Sequence, residues 1–294
     1  MKYSGPVVRP PHEANSVLLE VTVGCTHNQC RFCTFYRGTK FKIAPMSQIE
    51  RDLKQVSRKN NKAKRVFAVG GDPFSLSVSK LQEIGSKIKE YLPKANIGMY
   101  ARITSIKNKS VEELKVLRAI GINDLVIGVE SGDDDVLKSV NKGYTSDEII
   151  QECTKLEAAG ISYIVIYLGG LAGQGKGEEN AIKTANVFNQ LNPTFLYLTT
   201  VTIFEDSDMY KDVIAGRFTE STEQERIQEM LTLIKNLKKS IIVDGRSVSN
   251  PIQFSGELPR DKGAITEMLE EVINNFTKED ELALRHLRDS INVI

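Results

Sequence analysis

A parallel α/β domain is what this sequence predicts, and three observations predict it. Six short apolar runs with strand character alternate with helical patterns between residues 17 and 203. Glycines stop the early runs, at Gly24 and at Gly70-Gly71. The 294 residues are 40% apolar, which is ample for one large core. Strands separated by helical crossovers pair in parallel, so a curved or open sheet covered by helices is expected.

Taken in order, residues 17–23 read as the first strand, and a cysteine-bearing loop follows directly. A helix begins near Ser47, an N-cap with Glu50 three positions on. Residues 65–69 form the second strand and 76–91 an amphipathic helix. Strands at 95–103, 124–130, 162–168 and 195–203 alternate with helices at 111–119, 146–159 and 178–190. A long helix at 219–239, acidic at its start and basic at its end, complements its own dipole and closes a core domain of residues 1–240. Residues 241–294 form a small extension, strand-like to 259 and helical over 265–291, expected as a lid. Ser249, Asn250, Gly256, Pro259 and Arg260 either help to form that lid or make a turn-rich linker. No repeat of fixed period and no low-complexity tract is present.

The 39 basic and 38 acidic side chains leave a formal charge of +1, so no global field draws in nucleic acid or an anionic membrane. No run reaches the roughly 18 apolar residues of a membrane span, and residues 1–8 lack a cleavable signal. A cytoplasmic location is expected. Four cysteines in such a chain argue against a disulfide framework.

Cys25, Cys30 and Cys33 lie within nine residues, and Cys153 stands alone in a helical pattern that suits a buried thiol. Three thiolates at this spacing can converge on one centre. A zinc site completed by His27 lacks the usual second pair of ligands. A two-iron cluster lacks its fourth cysteine. A four-iron cluster held by three cysteines leaves one iron open to an exogenous ligand. Simple packing of the thiols fits poorly with a loop containing His27, Asn28, Gln29 and Arg31.

With its cysteine loop after the first strand, the sequence resembles the radical SAM superfamily, and the resemblance implies a partial (β/α)6 barrel. The usual spacing there is three residues and then two; here it is four and then two. The resemblance implies a [4Fe-4S] cluster on Cys25, Cys30 and Cys33, with S-adenosylmethionine chelating the open iron. Reductive cleavage then gives methionine and a 5′-deoxyadenosyl radical. Phe32 falls at the aromatic position whose backbone touches adenine.

The remaining motifs end successive strands, where parallel sheets and barrels gather their ligands. Gly70-Gly71-Asp72 is similar to the family's Gly-Gly-Glu motif, which accepts from the S-adenosylmethionine amino group, with an acid one methylene shorter. The segment from Gly128 to Gly143 resembles one shared by the coproporphyrinogen oxidase and methylthiotransferase groups, and it places Glu130 at the ribose hydroxyls. Gly169 begins a glycine turn matching the one near the adenine. Period-two alternation on the first strand makes Glu20 a candidate for substrate or ligand contact, alongside Tyr100 and Arg102 on the third; Glu20 and Arg102 could equally satisfy each other.

A single-cluster enzyme needs an electron donor such as flavodoxin or ferredoxin, and the basic run Lys54, Arg58, Lys59, Lys62, Lys64 and Arg65 is either its docking face or a solvated helix face. A small-molecule substrate is expected within the barrel. His12 and His286 have no visible catalytic partner. Two other classes stay open: a haem or cofactor carrier on the same fold, and an electron-transfer or zinc-stabilised module.

Overall fold

The first apolar run folds as two strands rather than one. β1 (Val17–Glu20) and β2 (Thr22–Val23) flank Val21, and β2 pairs antiparallel with β3 (Lys42–Ile43). This hairpin was not legible in the sequence, because two-residue strands carry no periodicity. The structure, a computed structural model, describes residues 1 and 3–291, and its chain divides into two units.

The first unit comprises Met1–Asn28, Phe35–Gly128 and Gln151–Tyr163. After β3 come α1 (Met46–Asn60), β4 (Arg65–Val69), α2 (Val78–Tyr91), β5 (Asn96–Ala101), α3 (Ile103–Lys107), α4 (Val111–Ala119) and β6 (Ile122–Glu130). β1, β4, β5 and β6 lie side by side in parallel, with Val17 opposite Val66, Val66 opposite Ile97 and Met99 opposite Leu125. Leu19, Phe67, Ile97 and Leu125 are fully buried, and α1 closes on them with Ile49 and Leu53. Parallel strands covered in this way read as continuous apolar runs, which is why the sequence exposed them.

Two boundaries differ from expectation. α1 is capped by Pro45, whose carbonyl takes the first amides from Gln48 and Ile49, so Ser47 lies inside the helix. The third strand stops at Ala101, because the Arg102 amide donates to Ser105 Oγ at 3.0 Å and the chain turns into α3. Beneath the sheet, Glu13 of the amino-terminal lead is 1% exposed and accepts from Arg65 Nε at 3.0 Å, while Arg65 Nη2 reaches Asp124 Oδ2 at 2.6 Å. Burial opposes the Glu13 charge, yet hydrogen bonds from His12, Arg65 and Ser16 hold its pKa at about 2.

The second unit comprises Gln29–Thr34, Val129–Ile150 and Ile164–Ile294. It carries α5 (Asp134–Ser139), the first turn of α6 (Ser146–Ala159), most of β7 (Ser162–Gly169), α7 (Gly177–Phe188), β8 (Phe195–Thr200), α8 (Asp208–Ile214) and α9 (Glu223–Asn236). β9 (Ile241–Asp244), β10 (Ser255–Leu258), α10 (Lys262–Asn274) and α11 (Lys278–Asp289) complete it. β7, β8 and β9 run parallel, and β10 returns antiparallel on β9. Residues 241–291 are thus part of this unit's sheet and helical cover, and 292–294 lie outside the described residues.

The carboxyl-terminal helical pattern breaks in two where Thr277 caps α11, exchanging hydrogen bonds with Asp280. Asn250, a candidate for the lid, instead ties its loop to the sheet, donating from Nδ2 to the Leu198 and Gly245 carbonyls at 2.8 Å each. α8 was missed because seven residues are too few for a helical period to declare itself.

Candidate functional site

The cysteine loop is divided between the two units. In the first, half-buried Cys25 follows the β2 hairpin strand, and Asn28 Nδ2 donates to the Tyr36 carbonyl at 2.9 Å, holding the loop against the chain that returns to β3. Gly71 passes directly beneath: its amide donates to the Gly24 carbonyl at 2.9 Å, and a Cβ there would stand 2.7 Å from Cys25 Cβ. Only glycine permits that approach.

Asp72 is 1% exposed, and both of its oxygens are engaged. Thr26 Oγ1, one residue past Cys25, donates to Oδ2 at 2.8 Å, and Ser105 Oγ donates to Oδ1 at 2.7 Å. Burial raises the Asp72 pKa, and the two hydroxyls with Arg102 and Lys109 oppose that rise. Lys109, also buried, donates to the carbonyls of Phe74 at 2.8 Å and Ser105 at 3.1 Å, and burial pushes its pKa down to about 8. Asp72 therefore braces the cysteine loop from within, with its oxygens occupied by protein hydroxyls.

The barrel-facing candidates separate. Glu20 is 3% exposed and accepts from the Ser4 amide and hydroxyl at 2.6 and 2.7 Å and from Gln48 Nε2 at 2.7 Å. It anchors the amino-terminal lead and α1. Arg102 is 7% exposed and its charge acts on Asp72. Tyr100 is half-buried, edge-on to Phe67 with ring centroids 5.2 Å apart.

In the second unit, Cys30 and Cys33 are half-buried thiols joined by a turn in which the Cys33 amide donates to the Cys30 carbonyl at 3.1 Å. The Arg31 amide donates to Val140, the Arg31 carbonyl accepts from Met209 at the start of α8, and its guanidinium pairs with Asp212. These bonds fix the loop on α5 and α8. Phe32 packs at the edge of an apolar cluster of Val136, Val140, Leu171, Val201 and Met209.

Glu130 ends β6 with φ at +68°, a left-handed conformation that costs a non-glycine residue free energy and clusters at functional sites. Its Oε1 receives Lys142 Nζ at 3.2 Å, and that ammonium lies 5.8 Å from the Phe32 ring centroid and 5.5 Å from that of Tyr144. Two predicted residues, Glu130 and Phe32, thus meet through Lys142, whose part sequence reading missed. Gly169 ends β7 and Gly170 follows it in the turn, where its amide donates to Glu229 Oε2 of α9 at 2.8 Å.

The sequence pattern that defines the Radical SAM superfamily matches residues 19–185. The chain belongs to that superfamily. Among curated proteins it is 27% identical to the heme chaperone HemW of Bacillus subtilis over 172 residues, covering 55% of this chain and 44% of that protein. It is 21% identical to the tRNA-2-methylthio-N(6)-dimethylallyladenosine synthase of Fusobacterium nucleatum over 265 residues, covering 83% and 59%. This radical SAM chain thus spans about half the length of the curated relatives it matches.

Coproporphyrinogen III oxidase (HemN) from Escherichia coli, described as a radical SAM enzyme, superposes with a TM-score of 0.55 at 19% identity, covering 75% of this chain and 51% of that one. The likeness shows a shared α/β fold, the partial (β/α)6 core expected from the sequence.

The superfamily uses a [4Fe-4S] cluster and S-adenosylmethionine. Three half-buried thiols, none of them in a disulfide, are the soft donors such a cluster takes, and the loop beside Cys25 is built around a glycine that keeps its back clear. Among the described residues no three His, Cys, Asp or Glu side chains stand together as a ready-made metal site. Among them, too, no helix is long and apolar enough to cross a membrane.

Proposed function

We propose that this chain is a single-cluster radical SAM enzyme, with Cys25, Cys30 and Cys33 as cluster ligands and Glu130 as the acceptor for the ribose hydroxyls. The observation that carries the reading is Glu130 itself, held in a costly backbone conformation at a strand end and steadied by Lys142. A carboxylate offers two acceptors to adjacent hydroxyls, and the Lys142 ammonium orients it.

Held by Cys25, Cys30 and Cys33, a [4Fe-4S] cluster would supply the electron for reductive cleavage of S-adenosylmethionine. The chain's residues position the partners. Thr26, through Asp72, holds the loop carrying Cys25; Arg31, through Asp212, holds the loop carrying Cys30 and Cys33. Phe32 shields the adenine side, and the Gly169-Gly170 turn supplies backbone edges to the base. A small-molecule substrate has half-buried Tyr100 as its contact, while Glu20 holds the amino-terminal lead and the charge of Arg102 acts on Asp72.

For the electron donor, the basic run at residues 54–65 is poorly placed. α1 is about 22 Å long at 1.5 Å per residue, and the run occupies its far half and the chain beyond it, away from the β2–β3 hairpin beside Cys25. The chain returning through that hairpin has exposed Arg37, Lys40 and Lys42, exposed Phe35 and Ile43, and no acid from Val21 to Ile49. An acidic donor protein docks there by charge complementarity.

The identity to HemW supports a second reading, a haem carrier on this fold. Anaerobic reconstitution with iron and sulfide, then dithionite and S-adenosylmethionine, separates the two. The enzyme gives about four irons per chain and 5′-deoxyadenosine, lost in Cys30→Ala. A reconstituted cluster that gives no deoxyadenosine, with stoichiometric haem binding by the same protein, replaces the enzyme by the carrier.

A further inference from the structure

The proposed S-adenosylmethionine contacts lie on two strand ends of the second unit, and a buried carboxylate with no part in the chemistry joins them. Glu229 of α9 is 1% exposed. Its Oε1 accepts from Tyr167 Oη at 2.5 Å and from Asn180 Nδ2 at 2.9 Å, and its Oε2 accepts from the Gly170 amide at 2.8 Å. Three donors aimed at two oxygens are the surroundings of an ionised carboxylate, which is acceptor-only. Burial raises its pKa, and these donors together with Arg226 oppose the rise.

The glycine turn is shaped around this group. A Cβ at Gly177 would stand 2.9 Å from Glu229 Oε2, and one at Gly170, whose φ is +83°, would stand 2.3 Å from Arg226 Nη1. The glycines are therefore required from behind, by α9, whatever lies in front of them.

From Glu229 the network continues to the other strand end. Asn180 is fully buried on α7, and its Oδ1 accepts from Ser131 Oγ at 2.5 Å. Ser131 follows Glu130 directly and in turn accepts from the Asp133 amide at 2.9 Å, while the Gly132 amide donates to Thr184 Oγ1 at 2.8 Å. An unbroken path of buried hydrogen bonds runs from the Gly170 amide through Glu229 and Asn180 to Ser131, the residue beside Glu130.

We infer that Glu229 is a positioning residue that locks the adenine-side glycine turn to the ribose-binding end of β6, so that both contacts are preorganised for one nucleoside. The inference rests on the reading of Glu130 and Gly169 given above. Glu229→Gln tests it: however the amide is turned, its NH2 faces either the Gly170 amide or the Tyr167 and Asn180 donors. Tyr167→Phe removes one donor with no change of charge and serves as the variant of smaller disturbance.

Two measurements on the full chain follow. Amide hydrogen exchange needs no cofactor: Glu229→Gln is expected to speed exchange at residues 168–176 about tenfold, a local opening that leaves 223–236 as protected as in wild type. In reconstituted protein, KM for S-adenosylmethionine is expected to rise about tenfold in Glu229→Gln, with kcat changed less than about twofold and a smaller rise in Tyr167→Phe. Unchanged exchange in the turn, loosening of α9 as a whole, or a fall in kcat with KM unmoved each overturns the inference. If Glu229→Gln does not fold, Tyr167→Phe decides by the same criteria. If wild type forms no deoxyadenosine, the functional reading falls alone, and exchange still decides whether Glu229 locks the turn.

Discussion

Replacing Lys142 by methionine isolates the electrostatic support of Glu130. The Lys142 and Glu130 side chains are 5% and 12% exposed, so methionine fills the space of the lysine stem and leaves a carboxylate without its partner. Removing one member of a buried pair costs about 3–5 kcal/mol; the wetter Glu130 end favours the lower figure. Two ring contacts add about 0.5–1 kcal/mol each, which methionine packing largely returns.

The expected loss is about 3 kcal/mol, a fall in Tm of about 5 °C for a chain of this size. The assay is a double-mutant cycle by chemical denaturation on wild type, Lys142→Met, Glu130→Gln and the double variant. A coupling of at least about 1.5 kcal/mol is expected, because each single variant strands the other's polar group. Additivity to within about 0.5 kcal/mol would refute the pair as the support of the strand end.

Lys109 gives a pH signature. Its folded pKa of about 8 lies below its value of 10.5 in the unfolded chain, so the unfolded state binds more protons between those values and stability rises with pH across that window. The gain is about 3 kcal/mol, absent in Lys109→Met; urea unfolding at pH 8 and pH 10.5 reads it, and equal slopes for the two proteins would sink the assignment. Gly71→Ala forces a methyl within 2.7 Å of Cys25 Cβ and Tyr36 Cε2, costing about 1–3 kcal/mol or displacing the loop; reduced iron content after reconstitution is the readout. Lys40→Glu with Lys42→Glu should slow turnover about tenfold with an acidic protein donor and leave dithionite-driven turnover unchanged, and a loss shared by both reductants would place the effect elsewhere.

Much of this molecule was visible along the chain. Val111–Ala119 and Ser146–Ala159 form the helices expected, since Ser110 and Glu113 exchange capping bonds in the one and acids fill the first turn of the other. The cysteine spacing and the strand-end motifs could be read because each is a short pattern whose members are fixed by covalent distance. The β2–β3 hairpin and α8 were not, being too short to show a period. Glu20 alternated correctly onto a buried face, yet its partners proved to be Ser4 and Gln48, and nothing in an alternation pattern names a partner.

By itself, then, the sequence determined the class: which runs become strands, that they pair in parallel, and which loop holds three thiols, all consequences of side-chain periodicity and local backbone preference. Tertiary structure alone decided what each polar group does. Asp72 meets Ser105 across 33 residues, Gly170 meets Glu229 across 59, and Ser131 meets Asn180 across 49. A buried polar atom must find a partner wherever the packed core brings one, and that choice is made by the folding of distant segments together.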